Sequence, residues 1–231
     1  MRHNLVLIVS IVFLVGFALS LTDTEEWFDA GNRYLKNGDY EKAIECFDRA
    51  LELSPENDDI WYNKGVAHKR QGEIDIALEC YEKALELNPS HIYAWDAKSI
   101  ILLDRKDYEG ANECCDRVLE LDKSNAEVWA RKGMVLYYLE RYDASLECCE
   151  RAIAINDWTR DAWFYKGNVL FNKKMYRQAI DCYDHVIEID PAFISGWYNK
   201  GVALKAIGEY EKAHECFEMA DRLKCSEKFG W

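Results

Sequence analysis

The sequence predicts an all-α protein, a stacked array of helix pairs preceded by a separate apolar helix. Trp27, Trp61, Trp95, Trp129, Trp163 and Trp197 recur every 34 residues without insertion or deletion. Cys46, Cys80, Cys114, Cys148, Cys182 and Cys216 keep the same interval, as do Ala43, Ala77, Ala111, Ser145, Ala179 and Ala213. A repeat of this length marks an array in which each unit buries its apolar face against its neighbours. The uncharged run from Leu5 to Leu21 stands outside that frame.

That run is the first element. Arg2 and His3 precede it, and Asp23, Glu25, Glu26 and Asp29 follow. A positive flank before and none after keeps the start in the cytoplasm and exports the repeats. Residues 1–22 are therefore a cleavable signal peptide, with Ala18 and Ser20 as the small-residue site, or a retained N-terminal membrane anchor. The 17 residues are short against the roughly 20 of a bilayer span but long for a signal core. The expected location is membrane-anchored with the repeats on the extracytoplasmic side; the alternative is secretion after cleavage near Ser20.

The repeats follow, framed as 24–57, 58–91, 92–125, 126–159, 160–193 and 194–227, with 228–231 a short tail. In the first half of each, as in Trp61 to His68, apolar positions return at three- and four-residue steps, which places them on one helical stripe. Gly38-Asp39, Gly72-Glu73 and Gly208-Glu209 then end the helix, since glycine enters the left-handed region freely. A second periodic run follows, such as Tyr40 to Leu51, and Leu53-Ser54-Pro55 or Leu87-Asn88-Pro89 closes the unit. The three prolines, Pro55, Pro89 and Pro191, sit at this same joint.

These residues resemble the tetratricopeptide repeat. Unit one supplies Trp27, Gly31, Tyr34, Ala43, Phe47, Ala50 and Pro55; unit two Trp61, Gly65, Ala77, Tyr81, Ala84 and Pro89. Unit five supplies Trp163, Gly167, Ala179, Tyr183 and Pro191, and unit six Trp197, Gly201, Ala213, Phe217 and Ala220. The resemblance implies a right-handed superhelical α-solenoid of six helix-turn-helix repeats. In units three and four Ser99 replaces a close-packing glycine, and Cys115 and Cys149 replace an aromatic residue. Looser packing is expected there.

Lys64, Lys98, Lys132, Lys166 and Lys200 recur after the tryptophans, and Glu45, Glu79, Glu113, Glu147, Asp181 and Glu215 recur as regularly. Pairs between units are expected from them, with lysine stems covering apolar surface. At the C-terminal end Phe229 and Trp231 are expected to cap the last unit, or that end self-associates.

The net charge of −13 argues against nucleic acid or an anionic membrane surface as a partner, because phosphate binding needs clustered Lys and Arg. Without residues 1–21 the balance is 28 basic against 42 acidic residues, or −14. A preference for basic partners is the functional alternative to simple solvation.

No catalysis is indicated. The chain has nine cysteines, six of them at one repeat position, where stacked copies lie about 8–10 Å apart, beyond the roughly 7 Å a disulfide tolerates. Cys114-Cys115 and Cys148-Cys149 lack chelating spacing. Cys182 and His185 share a helical turn but have no second pair to complete four ligands. No cofactor and no metal site is expected. His68, His91, His185 and His214 fall into no nucleophile arrangement.

The resemblance implies that the first helix of each pair lines a concave groove for a peptide. The lining would be Phe28, Asn32, Tyr62, Asn63, Lys69 and Arg70 in units one and two. Later units would contribute Arg131, Met134, Tyr137, Tyr138, Phe164, Asn168, Phe171, Tyr198 and Asn199. Rings suit apolar side chains and amides suit a peptide backbone. The family's clamp for acidic C-terminal tails is not matched, because Phe28, Tyr93 and Ala97 occupy its basic places. Trp158, off the 34-residue beat, is expected to plug the joint between units four and five; the alternative is an exposed interface anchor. The function predicted is a non-catalytic protein–protein interaction scaffold for a peptide or for assembly subunits. The alternative is a structural subunit docking by its convex face or open C-terminal end, or a metal carrier using Cys182 and His185.

Overall fold

The computed structural model describes residues 23–229, with side chains through residue 226. The signal or anchor segment and the cap expected of Phe229 and Trp231 lie outside what is described. The chain divides into two compact units, the first ending at Ile101 and the second beginning at Leu102. The first holds α1 (23–37), α2 (Tyr40–Leu53), α3 (Asp58–Gln71), α4 (Ile74–Leu87) and most of α5 (Ile92–Asp104). The second holds α6 (Tyr108–Leu121), α7 (Ala126–Tyr138), α8 (Tyr142–Ile155), α9 (Arg160–Asn172), α10 (Tyr176–Ile189), α11 (Ile194–Ala206) and α12 (Tyr210–Phe229). Among the described residues, none of these helices is long and apolar enough to cross a membrane.

Each second helix is amphipathic. In α2 the buried residues are Ala43, Cys46, Phe47, Ala50 and Leu51, steps of three and four that make one stripe. That stripe meets the first helix of its own pair at a glycine. A Cβ on Gly65 would stand 2.6 Å from the Tyr81 ring, and one on Gly167 2.7 Å from Tyr183, so glycine lets the ring lie flat on the helix backbone. Units three and four fill the same space differently. Ser99 is fully buried, and its hydroxyl donates to the Asp96 carbonyl at 2.7 Å. Ser145 Oγ donates to the Gly133 carbonyl at 2.6 Å. Unit four keeps its glycine, and a Cβ on Gly133 would stand 2.6 Å from Cys149 Sγ, so the thiol lies where a ring packs in other units.

The turns between paired helices fall at one repeat position. Gly38, Gly72 and Gly208 have φ of 82°, 92° and 83°, and Lys106, Glu140 and Lys174 adopt φ of 61°, 57° and 62° at the equivalent places. The left-handed turn is a property of the repeat, and three units form it without glycine.

The joints between successive pairs explain the tryptophans. The indole N–H of Trp61, Trp95, Trp129, Trp163 and Trp197 donates to the carbonyl six residues earlier, at 2.8–3.0 Å. The lysine three residues on reaches back to the preceding second helix. Lys64 pairs with Asp48 (2.6 Å), Lys98 with Glu82 (2.7 Å), Lys166 with Glu150 (3.1 Å) and Lys200 with Asp184 (2.5 Å); Lys132 pairs with Asp116. The partners are thus not Glu45, Glu79 and their equivalents but the acids one turn later. The same ammonium lies over the tryptophan ring, at 5.3 Å for Lys64 and 5.7 Å for Lys166. Such pairs contribute about 0–1 kcal/mol each, with a similar gain from the ring. Trp163→Phe, which keeps the ring but loses the donor, should destabilise by about 1 kcal/mol; unchanged urea unfolding would show that the bond to Asp157 adds nothing.

Trp158 does not plug its joint. It is 65% exposed, while its backbone N–H is held by Asn156 Oδ1 at 3.1 Å. Asn88, Asp122 and Asp190 hold Ser90, Ser124 and Ala192 in the same way. The side-chain turn and the Trp163 indole already close the joint, so the Trp158 side chain has nothing left to fill.

Candidate functional site

In the second unit the first helices α7, α9 and α11 carry the predicted aromatic residues, and they cluster. Tyr137 meets Tyr138 (5.5 Å), Tyr142 (5.9 Å) and Tyr165 (5.6 Å). Tyr138, 46% exposed, stacks on Tyr108 at 5.0 Å and 12°, and its hydroxyl is 3.4 Å from that of Tyr165. Burial is the main cause holding the Tyr165 phenol far above its ordinary value, so it serves as a neutral hydrogen-bonding group. Phe164 packs edge-on against Phe193 at 5.1 Å, and Phe171 lies 5.3 Å from Tyr176.

A polar chain crosses the same face. Asn168 Oδ1 accepts from the Tyr183 hydroxyl and from Asn199 Nδ2, both at 2.9 Å, and Asn172 Nδ2 reaches the Tyr137 hydroxyl at 3.4 Å. Tyr198 is 55% exposed over Phe217. Met134 packs beneath in a cluster with Tyr165, and Arg131 is half-buried. All nine residues named for this unit therefore fall on the first helices. Tyr108, Tyr142 and Tyr176 complete the cluster from second helices and were missed. Their signal was present, since Tyr40, Tyr108, Tyr142, Tyr176 and Tyr210 fall on one 34-residue beat, with Ile74 in the remaining place.

In the first unit Phe28 packs on Phe47 at 6.0 Å and Asn32 is half-buried. Asn63 Nδ2 donates to the Asp59 carbonyl of its own helix at 2.8 Å, so half of its amide is already engaged. Lys69 is half-buried and Arg70 exposed at the end of α3. Tyr62 sits among Tyr81 (5.7 Å), His91 (4.9 Å) and Tyr93 (6.2 Å). Burial, then the Asp96 and Tyr93 charges, raises its phenol.

Two constellations invite a metal. Asp58, Asp59 and His91 bring ligand atoms within 4.8 Å of one another. His91 occupies the place where Asn57 and Asn125 cap their helices, and its Nδ1 accepts the Ala94 N–H at 3.2 Å. That bond leaves the ring proton on Nε2, which faces Asp59 Oδ1 at 3.4 Å, so no lone pair points at the carboxylates. Asp58 is engaged by Asn88 Nδ2 at 2.6 Å. The donor set does not suit a cation bound through the imidazole. Cys182 is buried, while His185 stacks on Trp163 at 4.2 Å and faces Glu188 at 3.6 Å, so the two are not gathered around one point.

The nine cysteines are free thiols, and all but Cys225 are buried. Burial pushes Cys80, Cys148 and Cys182 up to about 11 and Cys149 to about 12. Neutral, enclosed thiols of this kind act as small packing groups.

Comparison with known proteins agrees with this architecture. A TPR repeat profile matches residues 31–72, and tetratricopeptide repeat profiles match 59–91, 126–157, 161–193 and 182–215. No curated protein matches the chain. Among solved structures it is similar to YrrB, described as a TPR protein with an unusual peptide-binding site, at 28% identity and TM-score 0.66 over 78% of this chain and 93% of that one. MamA follows at 24% identity and TM-score 0.65, over 72% and 97%. The pilF protein of Pseudomonas aeruginosa is 19% identical with TM-score 0.74, over 88% and 93%. The recurring tryptophans, the ring-on-glycine packing and these matches place the chain in the tetratricopeptide repeat family.

Proposed function

We propose that the protein is a non-catalytic adaptor that holds an extended segment of a protein partner along the first-helix face of its second unit. The observation that carries this is the joined aromatic and amide surface of α7, α9 and α11. The rings of Tyr138 and Tyr198 are exposed, and the half-buried Asn199 is held by its bond to the buried Asn168. Rings accept apolar side chains, and amides meet a peptide backbone. The likeness to YrrB, whose description names a peptide-binding site, supports the same use. The apolar run at residues 5–21, retained or cleaved, would deliver the repeats to the far side of a membrane.

Crosslinking capture from native membranes tests the reading. Tyr137→Ala/Phe171→Ala should reduce capture at least about tenfold, as loss of two central aromatic anchors does, with helical content unchanged. Full capture by the double variant would instead point to the second-helix face. The last helix gives that alternative less support. Glu218, which stands where earlier acids hold the next unit's lysine, is held within α12 by His214 (3.3 Å) and Arg222 (3.2 Å).

A further inference from the structure

The first unit has a patch that the aromatic surface of the second does not explain. Tyr93 presents a ring that is 69% exposed, 6.2 Å from Tyr62 and 6.3 Å from His91. The exposed Asp59 carboxylate lies against the same imidazole at 3.4 Å, and Asp58 is within reach of both. Among the described residues no lysine or arginine pairs with Asp58 or Asp59, although most acids at the joints do find one. His91 is 95% buried, and its Nε2 has no hydrogen-bond partner, yet it is aimed at this carboxylate. Because Nδ1 is spent on the Ala94 N–H, it is the Nε2 edge of the ring that is turned towards Asp59.

Aromatic rings grouped with an exposed carboxylate are the surroundings that favour an organic cation. The ring quadrupoles attract the charge, and the carboxylate fixes its direction. We propose that Tyr62, Tyr93 and Asp59 form a site for the ammonium or guanidinium group of a lysine or arginine in the bound segment. This rests on the reading of the first-helix face as the partner-bearing one and deepens it. A basic side chain in the partner is in keeping with a chain of net charge −13.

The site can be tested without knowing the partner. N-acetyl-arginine amide, N-acetyl-lysine amide and the neutral N-acetyl-norleucine amide are titrated into the full-length chain, with NMR shifts followed at Tyr62 and Tyr93. The two basic amides should bind saturably, and more weakly in high salt. Asp59→Asn and Tyr93→Ala should each weaken them about fivefold or more, while Tyr93→Phe, which keeps the ring, should match the parent. Both positions are exposed, so these variants keep the fold. Norleucine amide binding as tightly as arginine amide, or indifference to Asp59→Asn, would overturn the site. So would calcium or zinc binding stoichiometrically at these residues. The parent role fails separately, through capture that survives Tyr137→Ala/Phe171→Ala, because the amides report on the first unit alone.

Discussion

Replacing Gly65 with serine should destabilise the protein by about 1–3 kcal/mol, the range for overfilling a packed site. The new Cβ would press on the Tyr81 ring from 2.6 Å, and that ring is fully buried with nowhere to retreat. Tyr81→Cys alone should cost about 3–5 kcal/mol through the cavity it opens. Together the two changes give the second repeat the serine and cysteine that the third carries at these positions as Ser99 and Cys115. The double variant should therefore cost less than the sum of the singles by more than about 1 kcal/mol, the coupling of residues in contact. Urea unfolding of the four proteins measures it. Strict additivity would mean that the serine gains nothing from the space the smaller side chain leaves.

A thiol reagent at pH 8 should modify Cys225 quickly and the eight buried cysteines at least about a hundredfold more slowly, because the thiolate is the reacting species. With Cys80, Cys148 and Cys182 raised from 9.0 to about 11, few are ionised until the chain opens. The same shift links stability to pH. The folded state holds these protons more tightly, so the stabilisation is complete below pH 9 and declines as pH rises towards 11. Fast labelling of several thiols, or zinc retained in stoichiometric amount, would contradict their role as packing groups. Urea should expose all of them at once.

The pairing of helices, their turns and the tryptophan beat could be read from the residues because stacking imposes them in every copy. What could not be read depends on distances across elements. Glu45 and Asp48 lie within one turn of each other on α2, and only the tilt of α3 selects Asp48 for Lys64. Trp158 looked like a plug because tryptophan is usually enclosed; the satisfied joint around it is visible only in three dimensions. The same holds for the candidate site. Tyr137, Tyr138, Phe164 and Phe171 were found from the helical stripe, whereas Tyr108 comes from the preceding second helix and stacks on Tyr138. His91 shares its repeat position with the caps Asn57 and Asn125, but nothing in one dimension shows that its other nitrogen turns to Asp59.

The three turns built on Lys106, Glu140 and Lys174 each hold an ordinary residue in a backbone region that costs about 1 kcal/mol more than glycine would. At the matching Gly72 and Gly208 an added Cβ would meet nothing within 4 Å, so a side chain there projects into solvent. These positions exchange conformational ease for a charge displayed once per repeat. In the second unit, display prevailed over comfort at every turn but the last.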